Sequence, residues 1–311
     1  MSGSSQMPQL RFLAVGGPLA TGGNARRMAY WDWSAAPSAD VHRVVLCVHG
    51  LSRQGRDFDT LARELTRQAR VLAVDVAGRG HSDWLADPMA YQVGTYVADM
   101  ATLIMHLREQ DPAVRIDWVG TSMGGLIGMA LAAQPTLGLR RLVLNDVGPV
   151  IQWEALQRIG TYLGLNPSFG SEQEASDQLA AISSGFGPHT PEQWLALSQP
   201  MLRQRDGRWW LHYDPGLALP LRALTDAPDQ AAARQSVRDG ETALWGLYDA
   251  ITAPTLLLRG AESDLLTRDT ARAMAERGPR ARCVEFAGVG HAPTLVAADQ
   301  IAAVRDFLSA D

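Results

Sequence analysis

The chain contains 311 residues, of which 28 are basic and 33 acidic, and its formal net charge at pH 7 is −5. All 28 basic residues are arginine, so chemistry that needs a lysine amine, such as a Schiff base or the phosphate grip of a P-loop, is excluded. The mild acidity argues against nucleic-acid binding, and no run reaches the ~18 apolar residues that a membrane span needs. With 46% apolar residues, the composition is typical of a globular protein with a sizeable core.

The N-terminal segment and the two cysteines favour a cytoplasmic location. Residues 1–8 have neither the charged start nor the apolar centre of a secretory signal. Cys47 and Cys283 both lie in apolar runs, so we expect two buried thiols. Two buried thiols fit a reducing compartment better than a disulfide framework.

The apolar pattern predicts alternating strands and helices. Eight strands are expected at residues 10–15, 27–33, 44–48, 71–75, 116–119, 142–144, 255–258 and 283–286. From the third onward most of these runs are continuously apolar, which indicates a parallel sheet buried on both faces. Helical periodicity predicts helices at residues 58–69, 96–108, 124–133, 268–277 and 297–309. This order predicts an α/β fold, a mostly parallel eight-stranded sheet flanked by helices.

The alternation stops once, at residues 147–242, where no convincing strand occurs and short helical stretches are cut by Gly and Pro. We therefore expect a core domain of residues 1–146 and 243–311 and a helical cap, or lid, of residues 147–242 between the sixth and seventh strands. Tryptophans are concentrated in this insertion, which holds four of the nine in the chain. Packing within the insertion and lining of a pocket both remain open for Trp153, Trp194, Trp209 and Trp210.

The strongest local signal is Gly-Thr-Ser-Met-Gly-Gly at residues 120–125, between the fifth predicted strand and a helix of small residues. Glycines two residues before and after Ser122 permit the tight, strained strand-to-helix turn that lifts a serine hydroxyl above a sheet edge. We therefore predict that Ser122 is a nucleophile. Because a serine hydroxyl is a poor nucleophile by itself, a base must reach it.

Among the seven histidines, His291 has the sequence context expected of that base. It follows the eighth predicted strand after Gly288 and Gly290, which places it at the same sheet edge as Ser122. A carboxylate must hold the imidazole tautomer, and two aspartates compete for this role. Asp264 follows the seventh strand, next to the strand that leads to His291, and is favoured for that reason.

The competitor, Asp146, follows the sixth strand and would otherwise anchor the start of the insertion. Glu262 is a minor third choice. Negative charge on the substrate oxygen needs donors, and the backbone N–H groups of Met123 and Leu51 are the expected oxyanion hole. His49 is expected to orient the loop that carries Leu51 by hydrogen bonding.

These features resemble the α/β-hydrolase superfamily over nearly the whole chain. Besides the serine turn, the resemblance rests on His49-Gly50, on Gly290-His291 and on Asp-Val-Ala-Gly-Arg-Gly-His-Ser at residues 75–82. The last stretch looks like the turn after the superfamily's fourth strand, and it implies a structural role for His81. The chain order of serine, aspartate and histidine and the position of the insertion also match this superfamily.

The resemblance implies a serine carboxylesterase that acts on small or medium esters or on hydroxyacid oligoesters. A serine, an imidazole, a carboxylate and two backbone N–H groups suffice for this chemistry, so no cofactor and no metal are expected. The serine argues against dehalogenases and epoxide hydrolases, which use an aspartate nucleophile. The alternative is a C–C bond hydrolase of ring-opened keto-dienoic acids, for which Arg53 or Arg56 are conceivable partners of a substrate carboxylate. A ligand-binding protein without useful catalysis is a third reading. The expected partner is a small-molecule ester, with no nucleic acid and no membrane span, and oligomeric state is left open.

Overall fold

The structure, a computed structural model, describes residues 7–16 and 25–310. The expectation about a leader concerns residues 1–8, of which 1–6 lie outside the described part. Among the described residues, no helix is both long enough and apolar enough to cross a membrane.

In the described part of the chain, eight strands form the main sheet and three more form a small second sheet. In chain order the strands are β1 (Gln9–Val15), β2 (Arg26–Trp33), β3 (Arg43–Val48), β4 (Arg70–Asp75), β5 (Arg115–Thr121), β6 (Arg141–Asn145), β7 (Ser168–Phe169), β8 (Leu202–Arg205), β9 (Arg208–Leu211), β10 (Thr255–Gly260) and β11 (Arg282–Phe286). The main sheet has the order β1-β2-β4-β3-β5-β6-β10-β11. Only the β1–β2 and β2–β4 pairs are antiparallel. The predicted eight-stranded, mostly parallel sheet is confirmed.

Within residues 7–16 and 25–310, ten α-helices accompany these strands. They are α1 (Asp59–Leu65), α2 (Val93–Gln110), α3 (Met123–Ala132), α4 (Trp153–Tyr162), α5 (Glu172–Ile182), α6 (Pro191–Ser198), α7 (Ala218–Thr225), α8 (Gln230–Asp249), α9 (Arg268–Glu276) and α10 (Ala298–Ser309). The five helices predicted outside the insertion correspond to α1, α2, α3, α9 and α10, with ends that differ by at most four residues.

Helices cover both faces of the main sheet, which explains its continuously apolar strands. On β3, Val44, Leu46 and Val48 belong to one buried cluster, together with side chains of α2 and α3. The alternating residues Val45 and Cys47 belong to a second cluster, together with side chains of α1 and α10. Successive side chains of a strand point to opposite faces, so a strand buried on both sides must be apolar at every position.

The insertion between β6 and β10 is not purely helical, and the expectation that it lacks strands is wrong. β7, β9 and β8 form a small antiparallel sheet in that order. Asp206 and Gly207 connect β8 to β9 with positive φ angles of 51° and 71°. Asp-Gly is a typical sequence for such a tight hairpin turn, so this dipeptide is the signal that could have revealed the hairpin. Residue 242, the expected end of the cap, lies within the continuous helix α8.

The two cysteines differ in environment. Cys47 is buried in β3, as predicted, but Cys283 in β11 is exposed. The sheet order explains the difference, because β3 is a central strand and β11 is the edge strand. An apolar run therefore overestimates burial for a strand that has a neighbour on only one side.

Candidate active site

Ser122 occupies a sharp turn at the carboxyl end of a central strand. It lies between the last residue of β5 and the first residue of α3, with φ of 51° and ψ of −115°. A positive φ is strained for a residue with a side chain. Two contacts hold the turn: the Ser122 N–H donates to Asn145 O at 2.9 Å, and Ser122 O accepts from the Gly125 N–H at 2.8 Å. The predicted strand–turn–helix arrangement around this serine is present.

The glycines of the motif are required by close backbone packing. A Cβ on Gly120 would lie 2.2 Å from Gly124 O, and a Cβ on Gly124 would lie 2.0 Å from Val48 O. Both distances are far below van der Waals contact, so any other residue would push α3 away from β3 and β5. The glycines thus set the position of the first turn of α3 relative to the end of the sheet.

His291 is hydrogen-bonded to the serine and to a carboxylate. Its Nε2 lies 2.9 Å from Ser122 Oγ, and its Nδ1 lies 2.7 Å from Asp146 Oδ2. Since a carboxylate only accepts, the proton resides on Nδ1 and leaves Nε2 free to accept the serine hydroxyl proton. The geometry therefore brings Ser122 and His291 together as the sequence predicted.

Asp146 is fully buried and has three hydrogen-bond donors. Its Oδ1 accepts from the Gly260 N–H at 2.8 Å. Its Oδ2 accepts from Ser263 Oγ at 2.6 Å and from His291 at 2.7 Å. A buried carboxylate needs such donors to offset its lost hydration, and they also fix its orientation toward the imidazole.

The preference for Asp264 as the partner of His291 is wrong. Asp264 points outward and forms a two-pronged ion pair with Arg158 of α4, at 2.7 and 3.0 Å. About half of its side-chain surface is exposed. In the turn after β10, Ser263 is the buried side chain, whereas Glu262 and Asp264 on either side of it are exposed.

Strand adjacency does not identify the partner of His291, because the histidine loop extends past the strand next to it. His291 lies in the loop that follows the edge strand β11. The neighbour of β11 in the sheet is β10, and that adjacency favoured Asp264. The loop crosses the end of β10, however: a Cβ on Gly260 would lie 2.2 Å from Gly290 O, and the Glu262 N–H donates to Val289 O at 2.9 Å. β6 lies between β5 and β10, and the residue after β6, Asp146, is within hydrogen-bond distance of the imidazole.

Two polar side chains at this edge were not recognised from the sequence. Ser263 donates to Asp146 and accepts from the Leu266 N–H at 3.1 Å, so it connects the carboxylate to the loop after β10. Asn145 donates to Thr121 Oγ1 at 2.9 Å and to Pro293 O at 2.8 Å, which ties the serine turn to the histidine loop. Neither residue carries a sequence signal beyond its position at a strand end.

The loop after β3 packs against the serine turn. A Cβ on Gly50 would lie 3.6 Å from Ser122 Cβ, so the His49–Leu51 stretch borders the nucleophile. His49 is fully buried, accepts from the Val76 N–H at 3.0 Å through Nε2 and lies 2.7 Å from Gly50 O through Nδ1. Burial, followed by the charge of Arg79, lowers the pKa of His49 to about 3. A neutral imidazole therefore holds this loop, in agreement with the orienting role expected for His49.

His81 also has the structural environment that was expected. Its N–H donates to Asp75 Oδ2 at 2.9 Å, while Asp75 Oδ1 accepts from the Gly55 N–H at 2.7 Å. Its ring lies edge-on to Trp31 and His212, each at 5.4 Å between centroids. Asp75 therefore joins the turn after β4 to the segment after β3.

The arginines considered as anion partners are already engaged by carboxylates. Arg53 pairs with Asp57 through two hydrogen bonds, at 2.6 and 2.8 Å. Arg56 pairs with Asp59 in the same way, with Nε 2.7 Å from Oδ1. Arg53 lines a cavity of about 40 Å³ beside Thr121, but its charge is compensated there by Asp57.

The insertion contacts the histidine loop directly. The Gly290 N–H donates to Gly185 O at 2.6 Å, and His189 Nε2 lies 2.7 Å from Thr294 Oγ1. Trp194 stacks on Phe186, which lines the small cavity, with 6.1 Å between ring centroids. Trp209 packs within the insertion's own small core. In residues 7–16 and 25–310, no cluster of three or more His, Cys, Asp or Glu side chains is arranged to hold a metal ion.

Several known proteins resemble this chain in sequence and in fold. A sequence model described as the alpha/beta hydrolase family matches residues 45–304. A 3-hydroxybutyrate-oligomer hydrolase from Cupriavidus necator is 46% identical over an alignment of 309 positions, which covers 98% of this chain and 99% of that protein. A 2-hydroxymuconate semialdehyde hydrolase from Pseudomonas sp. (strain CF600) is 29% identical, covering 79% of this chain and 78% of that protein. A solved α/β hydrolase from Novosphingobium aromaticivorans superposes with a TM-score of 0.80 at 33% identity, covering 97% and 98% of the two chains.

Proposed function

The chain belongs to the α/β-hydrolase family and hydrolyses ester bonds, and we propose that its substrates are short hydroxyacid oligoesters, cleaved through an acyl-enzyme on Ser122. The observation that carries this proposal is the continuous hydrogen-bonded relay from Ser122 through His291 to Asp146. Such a relay activates a serine hydroxyl toward a carbonyl carbon.

The reaction proceeds in two acyl-transfer steps. His291 Nε2 removes the hydroxyl proton as Ser122 Oγ attacks the ester carbonyl, and Asp146 stabilises the imidazolium that forms. The tetrahedral intermediate then collapses, and His291 returns the proton to the departing hydroxyl group of the leaving hydroxyacid. A water molecule, deprotonated by His291, repeats the attack on the acyl-enzyme and releases the carboxylic acid.

The oxyanion of each tetrahedral intermediate is held by the backbone N–H groups of Leu51 and Met123. Met123 is the first residue of α3, so its N–H belongs to the positive end of a ten-residue helix. The loop of Leu51 borders the serine turn through Gly50. In enzymes of this type, removal of one oxyanion donor costs about 2.7–4 kcal/mol of transition-state stabilisation.

Two observations favour an oligoester of a hydroxyacid as substrate. The relative from Cupriavidus necator, similar over the full chain, is named for 3-hydroxybutyrate oligomers. The carboxylates of Asp57 and Asp59 compensate Arg53 and Arg56, so these two arginines leave no excess positive charge to attract a keto-dienoic acid. Neither Arg53 nor Arg56 therefore favours a carboxylate substrate over a neutral ester.

The insertion acts as a cap over the site. Its segment around Gly185 and His189 is hydrogen-bonded to the histidine loop. Because that loop carries the catalytic base, a cap at this place contacts the substrate. The continuity of α8 favours an end of the cap near residue 249 instead of 242. Cytoplasm is the proposed compartment, because Cys47 and Cys283 are both free thiols.

Hydrolysis of 3-hydroxybutyrate dimer and trimer by the wild type and by Ser122→Ala tests the proposal. We expect release of the monomer by the wild type and its loss in Ser122→Ala. Ser236→Ala, which removes an exposed hydroxyl on α8, is the matched control and should retain full activity. A ring-opened keto-dienoic acid belongs in the same assay. Turnover of that compound well above the oligoesters would contradict the proposal and assign C–C hydrolysis.

A further inference from the structure

The side chain of Arg79, in the turn after β4, is fully buried without a carboxylate partner. None of its surface is exposed. Its Nη1 donates to Ala77 O at 2.7 Å and to Tyr96 Oη at 3.0 Å. In the part of the chain that the structure describes, Arg79 forms no ion pair with an Asp or Glu side chain. A guanidinium stays charged at any ordinary pH, and burying it without a counter-charge is costly.

The remaining donors of Arg79 reach both residues of the proposed oxyanion hole. Nε donates to Leu51 O at 2.8 Å, and Nη2 lies 3.3 Å from Met123 Sδ. We propose that Arg79 is a positioning residue for ester hydrolysis, which fixes the Leu51 peptide and places an uncompensated positive charge behind the oxyanion hole. This inference rests on the proposed roles of Leu51 and Met123.

The two carbonyls that flank the Leu51 N–H are both held. Gly50 O, in the same peptide group as that N–H, accepts from His49 Nδ1 at 2.7 Å. Leu51 O, in the next peptide group, accepts from Arg79. With a neutral imidazole on one side and a guanidinium on the other, the N–H direction is set before the substrate arrives. Such preorganised donors are most effective in a site that excludes water.

The charge of Arg79 adds a second effect. After burial, it is the next cause of the lowered pKa of His49, so its positive charge lies close enough to act on that end of the His49–Leu51 loop. Negative charge appears on the substrate oxygen only in the tetrahedral intermediate and its transition states. A fixed cation nearby therefore favours the transition state over the neutral ground-state ester.

The backbone of Arg79 is held independently of its side chain. Arg79 forms an antiparallel bridge with Tyr213 of the insertion, and Gly78 O accepts from the Asp214 N–H at 2.8 Å. On the other side of Arg79, the Gly80 N–H donates to His212 O at 3.2 Å. The turn should therefore stay in place when the side chain of Arg79 is replaced.

The test compares Arg79→Met, which removes the charge, with Arg79→Lys, which keeps a charge but loses the planar fork. A nitrophenyl butyrate assay gives kcat and KM separately, and a boronic acid that adds to Ser122 mimics the tetrahedral intermediate. Arg43→Met is the matched control, since Arg43 is also a largely buried arginine and pairs with Asp117. Arg43 is the first residue of β3, so it lies at the opposite end of that strand from His49.

We expect Arg79→Met to lower kcat by about tenfold to a hundredfold with KM changed by less than about threefold, since the interaction acts in the transition state. The boronic acid should bind Arg79→Met more weakly by a similar factor, and Arg79→Lys should recover part of both losses. Arg43→Met should lower the melting temperature but keep kcat.

Several outcomes would overturn the inference. They are an unchanged kcat in Arg79→Met, a loss carried by KM alone, or a loss of kcat without weaker boronic acid binding. The nitrophenyl ester separates this question from the natural substrate. Arg79 can thus pass or fail its test even if 3-hydroxybutyrate oligomers prove not to be substrates.

Discussion

Asp146 lies 2.7 Å from His291 through its Oδ2 atom, although the two residues follow strands that are not neighbours in the sheet. β10 separates β6 from β11, and the histidine loop crosses its end, where Gly290 packs against Gly260. The residue after β10 that faces this crossing is Ser263, whose hydroxyl donates to the same carboxylate oxygen. The loop after β10 therefore supports Asp146, the carboxylate that follows β6.

Ser263→Ala should weaken this support without removing the carboxylate. The substitution takes one of three donors from buried Asp146 and also leaves the Leu266 N–H without its acceptor. A hydrogen bond to a charged group contributes about 1.5–3 kcal/mol, so we expect a loss of unfolding free energy in that range and a lower kcat. Urea denaturation and nitrophenyl ester kinetics measure the two effects. Ser236→Ala is the control, and equal behaviour of the two variants would contradict this role of Ser263.

Gly124→Ala and Gly240→Ala should have opposite effects on stability. A Cβ at Gly124 would lie 2.0 Å from Val48 O, whereas nothing lies within 4 Å of a Cβ at Gly240, inside α8. Gly124→Ala should lower the unfolding free energy by about 1–3 kcal/mol or more because backbone atoms must shift. Gly240→Ala should raise it by about 0.5–1 kcal/mol because alanine favours the helix. Chemical denaturation measures both values, and a neutral Gly124→Ala would refute the close packing of α3 on β3.

His49 should make the fold sensitive to acid. Burial lowers its pKa from 6.5 to about 3, so below pH 6.5 the unfolded chain binds a proton that the folded chain does not. The stability that depends on a neutral His49 is therefore fully present above pH 6.5. As the pH falls from 6.5 to 4, the free energy of unfolding decreases by about 3 kcal/mol through this group. Asp75 and Asp99, whose pKa burial raises to about 6, act in the opposite direction.

The contribution of His49 is isolated by comparing the wild type with His49→Asn, which keeps a short side-chain donor in the loop. Urea denaturation at several pH values between 4 and 7 should give a shallower loss of stability on acidification in the variant. Parallel curves for the two proteins would mean that His49 is not the group responsible.

The sequence predicted the main sheet well because burial on both faces leaves runs of apolar residues that need no tertiary information. It did not predict β7, β8 and β9, which are two to four residues long and, in β8, mostly exposed. Strands this short are stabilised by pairing with each other, and the periodicity of so few residues does not indicate a strand.

Within the site, Ser122 and His291 were found because strained turns require glycines, and glycines are visible in a sequence. The choice between Asp146 and Asp264 depended on how far a loop extends over the sheet edge, which only the three-dimensional path decides. The positioning role of Arg79 could not be predicted from the sequence for a similar reason. Nothing in its motif indicates that its side chain turns inward to contact Leu51 and Met123.

The most direct measurement is the hydrolysis of 3-hydroxybutyrate trimer by Asp146→Asn and Asp264→Asn, each compared with the wild type. An asparagine at position 146 cannot hold the required tautomer of His291, so we expect kcat to fall by about 10⁴-fold. Asp264→Asn removes only an exposed ion pair with Arg158 and should keep kcat within about twofold. The reverse result, a large loss in Asp264→Asn with an active Asp146→Asn, would contradict the proposed relay from Ser122 through His291 to Asp146.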